Sequence, residues 1–245
     1  MRQAGHIGGK LPAKTGDAKL PLRWAHQYLV APLPGPQYPV DVTEGISDWG
    51  MLGNDVWGDC AQAAEFHQEM TTAAAAGTPY PRPGFTVAVN RAKKFWHTTT
   101  PPGPGTTLAD YYHWLYKRGQ IIAFAPVDPK NVIAKDALMQ AGFGLQVGVT
   151  LTRHAETEFN HSETWGEGAV TPTPALGHAI VRVRATGTRP SDESTYVTWG
   201  AEQPATRQWD GVCVEQEWLI VTSEEKLALF TPALIADIEN LHGTS

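Results

Sequence analysis

The sequence predicts an α+β fold, and three observations carry that expectation. Up to residue 142, the segments between Pro- and Gly-rich breaks read as helices. From residue 145 the apolar residues recur with a period of two, as in strands. Helices first and strands second place a helical half against an antiparallel sheet. Composition agrees, because 42% hydrophobic and 18% charged residues in a chain of 245 allow a sizeable core.

The elements follow in order. Residues 1–45 are rich in Pro and Gly, with one apolar island, PLRWAHQYLV. They read as an extended arm that runs along the domain, which spans 46–245, or onto a neighbouring chain. Asp59 is a good N-cap residue, and Gln62 three positions later completes a capping-box pattern. Ala61, Ala64, Phe66 and the alanine run to Ala76 favour a long helix, which Gly77 ends. PYPRPG is a loop, and residues 86–97 read as a second helix. TTPPGPG breaks it, TTLADYYHWLYKRG is a third with Gly119 at its end, and PKNVIAKDALMQAG is a fourth with Pro129 near its first turn. LQVGVTLT (145–152) is a strand. HAIVRVRA alternates Ala179, Val181 and Val183 against His178, Ile180, Arg182 and Arg184, as a half-buried strand does. STYVTWG and VCVEQEWLIVTS are further strands, and TPALIADIENLH is a closing helix.

Several functions are excluded at this level. A net charge of −6 without any Lys/Arg cluster argues against nucleic acid as a partner. No run of 18 apolar residues exists to span a membrane. The first residues lack an apolar core segment, so no secretion signal is expected, and two free cysteines suit the cytoplasm. There is no P-loop or nucleotide-binding Gly-rich loop, so no cofactor is expected. RHAETEFNHSE holds His154, Glu156, Glu158, His161 and Glu163, but its spacing matches no usual metal-ligand pattern and reads as a solvated loop. Tyr111, Tyr112, Trp114 and Tyr116 cover every face of the third helix, which implies packing on both sides.

Chemistry concentrates around NDVWGDCAQAAEFHQEM. Cys60 falls in the first turn of its helix, where unpaired N–H groups favour a thiolate. A cysteine nucleophile needs a histidine base that is distant in sequence and near in space. His178 opens a strand in the second half and would supply it. His67, seven residues after Cys60, is too far along the helix to do so, and Cys213 reads as a core residue in a strand.

Asn54, Gly58, Cys60 and the alanine-rich helix, then GHAIVRV and YVTWG, resemble the papain-like cysteine peptidases in order and spacing over roughly residues 45–222. The resemblance implies a nucleophile helix packed against an antiparallel sheet, with KDALMQAGFGLQVGVTL as the helix–Gly–strand unit before the His strand. In that family a Gln six residues before the nucleophile donates to the oxyanion hole, and Asn54 lies six before Cys60. His178-Ala179 matches the family's His-Ala. The family's His-orienting Asn precedes Ser-Trp-Gly. Here Thr198-Trp199-Gly200 places Val197 in the Asn slot, where it cannot accept from an imidazole. Orientation then falls to Thr198, Asp192 or Glu202, and Trp199 is expected to pack beside the His. The start, GKLPAK…RWAHQYL…DWGMLGND, resembles a branch found in bacteria and their phages. Asp59 is expected to bring a negative charge that opposes the thiolate.

Two functions follow from the resemblance. One is a cysteine hydrolase acting on a peptide or protein substrate through Cys60, His178 and Asn54. The other is a catalytically degenerate structural or binding protein of a phage virion, with an assembly partner or with oligomeric or virion neighbours.

Overall fold

A computed structural model of the protein describes residues 22–80, 82–166, 168 and 170–241. The first half of the expected arm lies outside the described residues. The helices of the first half are α1 (Cys60–Ala75), α2 (Phe85–Trp96), α3 (Leu108–Lys117) and α4 (Val132–Gln140). The strands are β1 (Val40–Asp41), β2 (Ala123–Val127), β3 (Leu145–Thr152), β4 (Pro172–Ala185), β5 (Glu193–Thr198), β6 (Ala201–Thr206) and β7 (Val214–Val221). Helices α5 (Ala155–His161), α6 (Arg207–Cys213), α7 (Glu224–Leu227) and α8 (Ala233–Asn240) complete the described chain. The strands form one sheet in the order β2-β7-β3-β4-β5-β6, with β1 paired to β4. Every pairing is antiparallel. Helix α1 packs on β4, so the expected α+β architecture is the observed one.

The alternation of β4 sets the two faces of the sheet. Ala179, Val181, Val183 and Ala185 share a core cluster with Cys60, Ala61 and Ala64 of α1. Ile180 lies in a second cluster, with Val147, Val149, Tyr196, Trp199 and Trp209. Arg182 is fully buried, which an arginine tolerates only when paired. Its guanidinium donates to Asp210 Oδ2 at 2.9 Å and to Glu217 Oε1 at 2.8 Å. Lys135 reaches the same Glu217 oxygen at 3.2 Å, and Arg207 joins Asp136 to Asp210. Three cations thus meet three acids inside the protein. Burial would push the Asp210 carboxyl up, but Arg182, Lys135 and Arg207 outweigh it and hold the group below the usual carboxylate value.

The described part of the arm lies against this body. Leu22, Ala25 and Tyr28 are buried. Tyr28 Oη donates to Asp237 Oδ2 at 2.8 Å, Leu29 bridges to Phe230, and Tyr38 Oη donates to Asp136 Oδ2 at 2.8 Å. Tyr111 and Tyr112 of α3 are fully buried, against Phe95 on one side (5.1 Å between ring centres) and Phe124 on the other (6.1 Å).

Four local expectations are corrected. Strands β2 and β6 were not among the expected elements, and each holds a proline, Pro126 and Pro204. Both stand at the ends of the sheet order, where a strand tolerates a missing N–H donor. RHAETEFNHSE is not a loop: α5 forms there because Ala155 and Phe159, four residues apart, bury one face. Cys213 ends a helix, α6, instead of lying in a strand, because Thr206 caps that helix by accepting from Trp209 N at 3.1 Å. It is a core residue, as expected, and burial pushes its thiol up to about 12. Helix α4 starts after Asn131, whose side chain accepts from Ala134 N at 3.0 Å, and not at Pro129.

Candidate active site

Helix α1 is fixed at both ends of its buried face. Gln146 of β3 donates to Ala61 O at 2.9 Å, which holds the first turn. Gln68 donates to Gly144 O at 2.7 Å and Trp218 O at 3.0 Å. His67 Nε2 faces two carbonyls, Trp49 O at 3.0 Å and Gly50 O at 3.2 Å, so that nitrogen carries the proton. Burial pushes His67 down to about 4, so it is neutral at pH 7 and ties the preceding loop to the helix.

That loop meets the β5–β6 hairpin. Gly50 and Gly200 form an antiparallel bridge. A side chain on Gly200 would lie 3.0 Å from the Gly50 carbonyl carbon, and φ is +74°, so only glycine suits the position. Trp199, the other residue of this two-residue turn, also has a positive φ, of 45°. Positive φ at both positions is what a type I′ hairpin turn requires.

His178 stands next to this turn. It is fully buried, and its Nε2 lies 2.8 Å from Thr198 Oγ1. Trp199 stacks on the imidazole at 4.8 Å between ring centres and 26° between planes, with Phe159 edge-on behind it at 4.9 Å. Trp199 therefore packs beside the His, as expected.

Three residues were candidates to hold the imidazole, and Thr198 makes the hydrogen bond. Asp192 instead accepts from Arg189 N at 2.8 Å and pairs with its guanidinium at 2.9 Å, in the turn after β4. The Glu202 carboxylate pairs with Arg184 and accepts from Trp49 Nε1 at 3.4 Å. Val197, opposite Val181, faces the α1 side of the sheet. Successive strand side chains alternate, so its neighbour Thr198 points to the other face.

Cys60 is 1% exposed and begins α1. It shares its core cluster with Ala179 and Val197, the chain neighbours of His178 and Thr198. Helix α1, which opens at Cys60, packs on β4 and β5, the strands that carry His178 and Thr198.

Asn54 is 3% exposed, and its Oδ1 is buried without a hydrogen-bond partner. Asp59 differs from expectation. Its backbone starts the helix, with Ala63 N donating to Asp59 O at 2.9 Å, but its carboxylate caps nothing. Gln62 donates to Thr106 Oγ1 at 3.2 Å instead of reaching back, so no capping box forms. Both Asp59 oxygens are buried, and no other described residue bonds to them. Burial, opposed by a hydrogen bond from its own backbone N–H and helped by the charge of Asp55, pushes its carboxyl up to about 8. At pH 7 the expected negative charge beside Cys60 is therefore mostly absent.

Gln146, Phe159 and the Gly50–Gly200 bridge were not singled out from sequence. Only Phe159 had a readable signal, its i+4 spacing from Ala155. Among the described residues no group of three or more His, Cys, Asp or Glu side chains could hold a metal ion. No described helix is long and apolar enough to cross a membrane.

No family model matches the sequence, and no curated protein matches it in a sequence search. Solved structures do match the fold. Xylellain, a cysteine protease from Xylella fastidiosa, superposes with a TM-score of 0.64 at 10% identity, over 91% of this chain and 99% of that one. Procathepsin L 3 of the Tenebrio molitor larval midgut gives 0.58 at 9% identity, over 88% of this chain and 83% of that one. The proform of the ragweed pollen cysteine protease Amb a 11 gives 0.59 at 12% identity, over 89% and 77%. An all-antiparallel sheet carrying His178, a long helix opening at Cys60 and these three likenesses agree on one architecture, and the chain has the papain-like cysteine protease fold.

Proposed function

We propose that the protein is a papain-like cysteine hydrolase that cleaves a peptide or amide bond. The observation that carries this reading is the buried His178 Nε2–Thr198 Oγ1 hydrogen bond under Trp199, on the strand that abuts the helix of Cys60. With Nε2 engaged by Thr198, proton exchange with the thiol falls to Nδ1. Cys60 Sγ attacks the carbonyl carbon of the substrate as His178 takes the thiol proton. The oxyanion is held by the Cys60 backbone N–H and the Asn54 side-chain amide. Collapse expels the amine, which takes the proton back from His178, and leaves a thioester on Cys60. Water, deprotonated by His178, then releases the acid and restores the thiol. Thr198 keeps the ring in place through this cycle without touching substrate.

The test is turnover of a fluorogenic peptide pool by the wild type, by Cys60→Ser and by His178→Ala. Turnover that both variants abolish supports the hydrolase. No turnover, together with an inert Cys60, leaves the second reading, a degenerate papain-like structural or binding protein of a phage particle. Unpartnered Asn54 Oδ1 is the feature that would favour it.

A further inference from the structure

We propose that Asp59 is a positioning residue that sets the alkaline limit of the site: neutral, it lies under the Asn54 loop and lets that loop rest on the start of α1; ionised, it displaces the loop. The proposal rests on the reading of Asn54 and Cys60 as parts of one site.

The geometry is specific. Asp59 has no exposed surface, and no other described residue bonds to either carboxylate oxygen. The side chain turns away from the helix N–H groups that an N-cap aspartate usually serves. It lies instead against Gly53: a Cβ built there would sit 2.9 Å from Asp59 Oδ2 and 2.6 Å from Val89 Cγ2 of α2. Gly53 has φ +103°, and Asn54 is the next residue. The Asn54 Oδ1 acceptor is also buried, and it is unpartnered.

The surroundings give an ionised Asp59 little relief, since its own backbone N–H is the one group that favours the charge. The α2 side presents apolar Val89, the helix presents Cys60, and the one charged group acting on Asp59 is Asp55, of the same sign. A buried carboxylate without a partner costs several kcal/mol, so the structure moves where it is weakest. The residues free to yield are those next to Asp59, where the N–H groups of Asn54, Val56 and Trp57 donate to Met51 and Gly53 carbonyls. Burial places this transition near the alkaline edge of the physiological range, with the carboxyl up at about 8. Above it, the Asn54 amide leaves the oxyanion position, and a carboxylate stands beside Cys60.

Aspartate labelled with 13C at the side-chain carboxyl, read by NMR against pH, tests this with the full chain. The expected result is one aspartate carbon titrating near 8 that is missing in Asp59→Asn. The Asn54 side-chain amide signals, assigned with Asn54→Ala, should move with the same midpoint in the wild type and stay still in Asp59→Asn. Peptide turnover should fall about tenfold per pH unit above that midpoint in the wild type, a limb that Asp59→Asn shifts upward. An Asp59 carbon that titrates near 4, or Asn54 signals indifferent to it, overturns the proposal. The carbon titration needs no variant to fold, because the wild type alone either shows the high midpoint or lacks it. Coupled titration without turnover would sink the hydrolase reading only. Turnover whose alkaline limb is unchanged in Asp59→Asn would sink this proposal only.

Discussion

Replacing Thr198 by valine removes one oxygen and keeps the shape of the side chain. Thr198 is 2% exposed and His178 is fully buried, so no water replaces the lost partner cheaply. The hydrogen bond at 2.8 Å disappears, and His178 Nε2 is left buried and unsatisfied. Such a group costs about 1–3 kcal/mol, and the added burial of a methyl recovers under about 1 kcal/mol. A urea midpoint at constant m-value should therefore show Thr198→Val less stable by about 1–2 kcal/mol. The kinetic effect should be larger. Removing the residue that orients a catalytic histidine costs up to about 10⁴-fold in a serine triad, and stacking on Trp199 retains part of the orientation here, so a loss of about 10²–10³-fold in kcat is expected. Thr198→Ser, which keeps the hydroxyl, should recover most of it. A valine variant with wild-type stability and wild-type turnover would refute the role assigned to this bond.

Three further outcomes are expected. Asp59 has a folded pKa of about 8 against 3.8 for the free group, so the folded chain holds an extra proton between those values, and stability falls as pH rises through that window. Asp59→Asn should cancel this slope and be more stable than wild type at pH 7, by up to about 4 kcal/mol, in urea titrations repeated from pH 4 to 9. Gly200→Ala should cost about 1–3 kcal/mol, from positive φ and the approach of Gly50 and Met51, and calorimetry would show it as a lowered Tm. Arg182→Met leaves Asp210 and Glu217 without their main cation and should cost about 3–5 kcal/mol. Asp210 is held below its ordinary value of 3.8, so it stabilises the fold above that value and loses this as pH falls through the lower one. In the variant, acid unfolding followed by circular dichroism should begin at higher pH.

Much of the architecture was legible in local patterns. The alternation in 178–185 gave the correct two faces of β4, because burial on one face of a strand leaves a period of two. Strand β3 matched to the residue, and α1 and α2 to within a residue or two. What stayed hidden depended on position in the sheet or on distant partners. Pro126 and Pro204 argue against strands until their strands are known to be edges. The buried charges of Arg182, Asp210 and Glu217 were individually unremarkable in sequence, since pairing across three elements is a tertiary fact. At the site, Cys60 and His178 are candidates by residue type, position and the resemblance to papain-like peptidases, and Asn54 by that resemblance alone. The choice of Thr198 over Asp192 and Glu202 could not be read this way, since it depends on the short Trp199-Gly200 turn and on the strand face toward which Thr198 points. Asp59 misled for a related reason: its type and place say N-cap, while its burial decides its charge.

Cys60 and His178 are proposed to act as one nucleophilic pair. Alkylation of the folded protein by iodoacetamide at pH 7, with the modified cysteine identified by mass spectrometry, tests it most directly. Both thiols are buried, and the Cys213 thiol is pushed up to about 12, so exposure alone gives neither an advantage. Cys60 should be modified at least about tenfold faster than Cys213, and His178→Ala should remove most of that difference. Equal rates at the two cysteines, unchanged by His178→Ala, would contradict it.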